Sequence, residues 1–166
     1  MNNLKIIISL LSISILFMSC KPKQVVVDEN DVYEVVYKSQ IGGKKEKANQ
    51  IITNYEDFNA LIAELNIGEE EYEKLLSIDL EKHDLLVSFL GEKATGGYDI
   101  NVEKVKFSTN SSEVILKEIA PEKNAMVTTV ITSPYIFITL PKNKKILINK
   151  KKAFQFERLF LFRIYI

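Results

Sequence analysis

The chain is poor in the residues that most often carry chemistry. It has one cysteine, Cys20, one histidine, His83, and no tryptophan. A single cysteine excludes an internal disulfide framework, and a single histidine excludes a zinc motif built on two. Net charge is missing as well. The 22 Lys and Arg residues balance 22 Asp and Glu, leaving no overall basic excess of the kind that nucleic-acid binding requires, so no nucleic-acid partner is expected. What remains is a globular composition, 46% hydrophobic and 27% charged, in a length that suits one ordinary domain with a real core.

Glycine is scarce, with six in 166 residues, yet three of them, Gly91, Gly96 and Gly97, fall in the stretch GEKATGGYDI at 91–100. Gly91 and Gly96 have the spacing of a phosphate-binding loop. The Lys and Ser/Thr that should follow are replaced by Gly97 and Tyr98, and a strand follows where a helix N-terminus is needed. The same stretch fails as an aspartic-protease motif, because Ala94 stands where the carboxylate belongs. No G-x-S-x-G elbow supports Ser88 or Ser133 as a nucleophile. His83 lies in a polar EKHD lead into a strand, and Asp79, Glu81 and Asp84 form no recognisable acid–base group. The expectation is a noncatalytic protein with no metal and no cofactor.

The simplest use of 91–98 is a hairpin connection of ordinary length. Two adjacent glycines exceed what a generic turn needs. They allow close backbone approach to another surface, and Tyr98 beside them offers a large amphipathic contact. Gly91, Thr95, Gly96, Gly97 and Tyr98 are therefore candidate partner-binding residues, with Ser133, Pro134 and Tyr135 as a second part of that surface. The alternative for the second group is a rigid strand entrance with Tyr135 packed inward.

At the N-terminus, a short polar start with Lys5 precedes an apolar run from Ile6 to Met18, and Ser19 and Cys20 follow. The run is too short to cross a hydrocarbon core, which needs about 20 residues, but it suits the apolar region of a signal peptide. Leu16 to Cys20 resembles a bacterial lipobox, with Leu16 one place early and Phe17 where Leu is commonest. The resemblance implies removal of 1–19 and a lipid on Cys20, which would anchor the protein in the bacterial cell envelope, facing the periplasm or the exterior. Residues 20–30 read as a tether.

Residues 31–149 read as one domain. Tyr33, Val35 and Tyr37 alternate with Glu34 and Lys38 as in a half-buried strand, and Gly42 and Gly43 turn the chain. Phe58, Leu61, Ile62 and Leu65 have helical spacing, with Thr53 and Glu56 placed as a capping box. EEEYEKLL adds a turn or two of helix, with Tyr72, Leu75 and Leu76 inward. From Asp84 onward short apolar runs alternate with turn clusters: DLLVSFLG, YDINVEKVKF with a parity shift that suggests a bulge, EVILKEI, MVTTVIT, YIFITL and KILIN. Strands with short connections and no intervening helix imply antiparallel pairing. The predicted fold is α+β, an antiparallel, sandwich-like sheet with one principal helix packed against it. The tail at 150–166 is basic and then apolar; it reads as an extra edge strand, an interfacial segment, or an end with no packed role.

LLVSFLGEKATGGYDINVEKV followed by ILKEIAPEKNAMVTTVITSPYIFITLP resembles the PrcB C-terminal domain family, over residues 84–141. Two separated elements agree in order and spacing. The resemblance implies a noncatalytic accessory subunit of a protease complex, whose partner is a secreted or surface protease or another envelope protein. Thr95, Gly96 or Gly97, and Tyr98 are also similar to the Thr-Gly-aromatic loop of chagasin-type cysteine-protease inhibitors, which implies inhibition as the alternative function.

Overall fold

The computed structural model describes residues 32–65, 67–142 and 144–154. The expected signal segment, Cys20, the tether as far as residue 30 and positions 155–166 of the tail lie outside the described residues. In chain order the elements are β1 (Glu34–Ser39), β2 (Ala48–Ile52), α1 (Tyr55–Leu65), α2 (Glu69–Leu76), β3 (His83–Phe89), β4 (Asp99–Phe107), β5 (Ser111–Ala120), β6 (Tyr135–Pro141) and β7 (Lys145–Phe154). The strands form two sheets. One has the order β1-β6-β3-β2, and the other β4-β5-β7.

The central strands of the first sheet explain why their sequences read as unbroken apolar runs. On β3, Leu85, Val87 and Phe89 pack with Phe58, Leu61, Ile62 and Leu65 of α1 and Leu75 of α2. Leu86, between them, joins Ile136, Ile138 and Leu140 of β6 and Ile100, Val114 and Leu116 of the second sheet in a separate cluster. Side chains alternate across a strand, so a strand covered on both faces must be apolar at both parities. Fully burying each such side chain contributes roughly 1.5–3 kcal/mol.

Helix α1 buries the four residues its spacing predicts, Phe58, Leu61, Ile62 and Leu65. Its cap is one residue later than expected: Asn54 Oδ1, rather than a Thr53 side chain, accepts from the backbone N–H of Asp57 at 2.9 Å. Helix α2 buries Leu75 but leaves Leu76 exposed, because neighbouring positions point about 100° apart and this short helix has a narrow buried face. The helix of the 55–65 spacing and the added turns of EEEYEKLL are thus two short helices of 11 and 8 residues, on a sheet-dominated framework.

Pairing differs from expectation in one instructive place. β1–β6, β2–β3, β3–β6 and β4–β5 are antiparallel, with the anticipated bulge between Val102 and Lys104 on β4 and another between Val35 and Tyr37 on β1. β7, however, runs parallel to β5, from Ser111 opposite Lys145 to Ala120 opposite Phe154. It also continues past Asn149, so residues 150–154 complete a strand instead of beginning a tail. β2 was not anticipated at all. The segment MVTTVIT, rich in β-branched residues, forms no strand beyond a single bridge between Lys93 and Thr132.

Candidate functional site

The 91–98 connection leaves the first sheet at Phe89 and enters the second at Asp99, so it links two sheets and is not a hairpin. Its backbone is fastened along its length. Leu90 N–H donates to Pro134 O at 2.8 Å and Glu92 N–H to Lys45 O at 2.9 Å. Lys93 and Thr132 exchange N–H to O bonds of 2.7 and 2.9 Å, and Gly96 N–H donates to Thr128 O at 2.9 Å. Thr132 Oγ1 adds a bond to Thr95 O at 2.9 Å.

The glycines serve this fastening. Gly97 has φ +84°, and a Cβ there would lie 3.1 Å from Pro121 Cβ and 3.3 Å from Val127 Cγ1. Gly91, at φ +77°, faces the 45–47 backbone, where a Cβ would meet Lys47 N at 2.9 Å. Gly96 is buried against the Thr128 side chain. The surface that these glycines approach closely is the protein's own: the 45–47 turn on one side and the 121–132 segment on the other.

Ser133, Pro134 and Tyr135, expected on the same contact surface, are all buried. Ser133 Oγ accepts from Gly43 N–H at 3.0 Å. Tyr135 is 2% exposed, with its ring stacked on Phe89 at 5.7 Å and tilted against Tyr37 at the same separation. Burial pushes its hydroxyl pKa far above the ordinary value, with the Tyr37 hydroxyl adding to the effect. Pro134 and Tyr135 hold the end of β3 that leads into the loop, and Ser133 is bonded to the 40–43 turn. Of the candidates, Thr95 and Tyr98 keep partly open side chains.

Tyr98 lines a cleft of about 420 Å³. Lys93 Nζ lies over its ring, 5.8 Å from the centroid. Glu118, in the same lining, is only 7% exposed, and Lys47 Nζ approaches its two oxygens to 2.5 and 2.8 Å. Lys150 Nζ stands 3.7 Å from the same carboxylate. Burial holds the Lys150 ammonium below its ordinary pKa; Glu118 opposes that shift, and repulsion from Lys47 adds to it. Parallel pairing builds this cleft. Because β5 and β7 point the same way, Lys152 and Ala153 arrive beside Glu118, Ile119 and Ala120, at the end where β4 begins.

None of the lysines or Glu118 was singled out in the sequence. A signal for Glu118 was present: it shares the buried parity of Ser112, Val114 and Leu116 on β5, a carboxylate on an otherwise inward face. The lysines carry no such mark, since each is one of many.

The polar residues weighed for catalysis are dispersed. Ser88 Oγ donates to Asn49 Oδ1 at 2.7 Å, and His83 Nδ1 lies 3.2 Å from Asp79 O. Asp79 pairs with Lys82 at 2.8 Å, whereas Asp84 faces Lys142 at 3.6 Å. Among the described residues no cluster of three or more His, Cys, Asp or Glu is arranged to hold a metal, and no helix is long and apolar enough to cross a membrane.

Residues 85–141 match the family model described as PrcB C-terminal. No curated protein and no solved structure matches the chain.

Proposed function

From the premise that residues 85–141 are a PrcB C-terminal segment, we propose that the protein is a noncatalytic accessory subunit of a protease-containing assembly in the bacterial cell envelope. A lipid on Cys20 holds it there, and it meets its protein partner on the surface around the 91–98 loop. The observation that carries this reading is where the match begins and ends. It starts within β3 and stops at the last residue of β6, the two central strands of the first sheet. The matched stretch thus holds the loop, the 121–132 segment that fastens it, and the strands that fix both ends.

The surroundings of the loop suit a protein contact. Met126 is fully exposed, and Val130 and Ile131 are more than half exposed, all on the fastening segment. Exposed apolar side chains concentrated beside a rigid loop with a half-buried tyrosine are the makings of an interface core. Gly91, Gly96 and Gly97 act by holding the loop in shape, Pro134 and Tyr135 by fixing the strand end it leaves, Ser133 by tying that region to the 40–43 turn, and Thr95 and Tyr98 by touching the partner. The inhibitor alternative asks the loop to enter a cleft. Its Lys93 and Gly96 N–H groups are already bonded within the chain, which favours assembly.

The test is a pull-down of the full chain from its own envelope, with identification of the bound proteins. Recovery of a protease whose activity is unchanged or raised supports the proposal. Absence of any protease, or loss of its activity when the protein is added, overturns the assembly role. For the anchor, Cys20→Ser should move the protein from the detergent phase to the aqueous phase; unchanged partitioning sinks that part alone.

A further inference from the structure

The cleft beside Tyr98 has a charge balance that its own residues leave open. Three ammonium groups line it, those of Lys47, Lys93 and Lys152, against one carboxylate, Glu118, so three positive less one negative leaves an excess of two. Glu118 is committed to Lys47, with Lys150 close behind. Lys93 rests over the Tyr98 ring, and among the described residues neither Lys93 nor Lys152 pairs with a carboxylate. Beside these charges, Leu90, Ile119, Ala120 and Ala153 give the lining an apolar part. The volume, about 420 Å³, lies within the range of sites that enclose a small molecule or a few side chains.

We propose that this cleft receives a carboxylate carried on an apolar body, presented by the partner polypeptide either as its chain terminus or as an acidic side chain beside an apolar one. The proposal rests on the partner-binding reading above and gives that partner its chemistry. Each feature of the cleft selects for such a group. The ammonium groups of Lys93 and Lys152, without a carboxylate partner among the described residues, supply a counter-charge, and at half-buried Lys93 partial exclusion of water strengthens attraction. The apolar part of the lining takes up a side chain while the carboxylate stays at the lysines. Lysine ammonium groups pair with either a carboxylate or a phosphate, so it is the apolar part of the lining that favours an acid carried on an apolar body over inorganic phosphate. The Tyr98 ring lines the cleft with the Lys93 ammonium over its face.

Binding to the full chain in detergent tests the proposal with four probes: acetyl-Ala-Leu-Phe with a free terminal carboxylate, the same peptide as its terminal amide, acetyl-Ala-Glu-Phe amide, and phosphatidylglycerol vesicles. Saturable binding of the first or third peptide, with the uncharged amide weaker by about tenfold, is the expected result, and it tells a terminal carboxylate from a side-chain one. The double variant Lys93→Gln/Lys152→Gln should lose that discrimination while melting within a few degrees of the wild type. Should the variant fold poorly, salt provides a second readout: raising sodium chloride should weaken the acidic peptide and leave the amide unchanged. Equal binding of acid and amide, no saturable binding at millimolar peptide, salt-insensitive binding of the acid, or preference for the vesicles overturns the inference. The two readings fail separately. A protease recovered from the envelope without carboxylate binding removes this inference alone, whereas carboxylate binding without a protease removes the assembly role and leaves the site.

Discussion

Strands β3 and β6 are covered on both faces, by the helices on one side and the second sheet on the other, whereas β4, β5 and β7 turn one face outward. The outer face of the second sheet carries cross-strand polar pairs. Lys106 bonds Glu113 at 2.8 Å, Asn149 donates to the same carboxylate at 2.7 Å, and Lys151 meets Glu103 at 3.1 Å. Two sheets in one small domain thus obey different sequence rules. A doubly covered strand tolerates polarity at few positions. A singly covered strand shows alternation, and its outer charges add little because water screens them.

Paired substitutions would break that comparison most directly. Phe137→Ala, at a fully buried position, should cost about 3–5 kcal/mol, while Leu147→Ala, at 41% exposure on β7, should stay within about 0.5 kcal/mol. Urea unfolding of both variants checks this, and similar midpoints would mean that the two sheets are not buried differently. Next in size is the link between the sheets. Gly97→Ala places a Cβ at positive φ against Pro121 and should cost about 1–3 kcal/mol, read as a lower melting temperature. A variant as stable as the wild type would show that the link bears no strain and can shift freely.

Titration sharpens the same contrast. Tyr135 ionises ordinarily at 10.0, and burial in the first sheet raises that value in the folded state. Its contribution to stability is therefore fully present below pH 10 and is lost as the pH rises from there toward the raised folded value. Stability should fall by up to about 1.4 kcal/mol for each pH unit above 10, and Tyr135→Phe should flatten that fall, measured by unfolding at pH 9, 10 and 11. The smallest effect belongs to the outer face of the second sheet. The hydrogen bond from Lys106 holds the Glu113 carboxyl below its ordinary 4.5. That contribution is present above pH 4.5 and disappears as the pH falls through the lowered value. Lys106→Gln should make the melting temperature slightly less sensitive to acid between pH 5 and pH 3; an unchanged acid slope would show the pair to be inert.

Burial was the part of this fold most legible in the sequence. The helix face of Phe58, Leu61, Ile62 and Leu65, the runs of β3 and β6, and the β4 bulge all follow from local periodicity, because period and coverage are written along a single segment. Partner choice is not. Nothing in KILINKKKAF says that its neighbour is β5 or that the pairing is parallel, since strand direction depends on where the chain has been carried. β2 escaped notice because ANQII carries only Ala, Ile and Ile among polar residues at the edge of its sheet. MVTTVIT misled in the opposite sense, because its backbone neighbour is the 91–98 loop, which meets it at one bridge and one further bond and not along a ladder. At the candidate site the glycine excess was plain, but not the surface those glycines approach. Glu118 meets Lys150 and Lys152 through the register of β5 and β7, and Lys47 through the turn that precedes β2, so no single segment records the group.

The pairing of β1 with β6 sets the order in which the protein can be finished. Glu34 lies opposite Thr139 and its carbonyl accepts from the Thr139 hydroxyl, 105 positions along the chain. During N-to-C emergence, β1 waits with its ladder groups open until almost the whole domain has followed it. β3 waits likewise for its neighbour on that side, while β4 and β5 can zip together early across a tight connection. Non-local closure of this kind slows folding and prolongs the interval in which apolar strands are unpaired. A chain stalled or truncated before Tyr135 would lack the strand that joins β1 to β3, and would present both as adhesive edges instead of a partly folded domain.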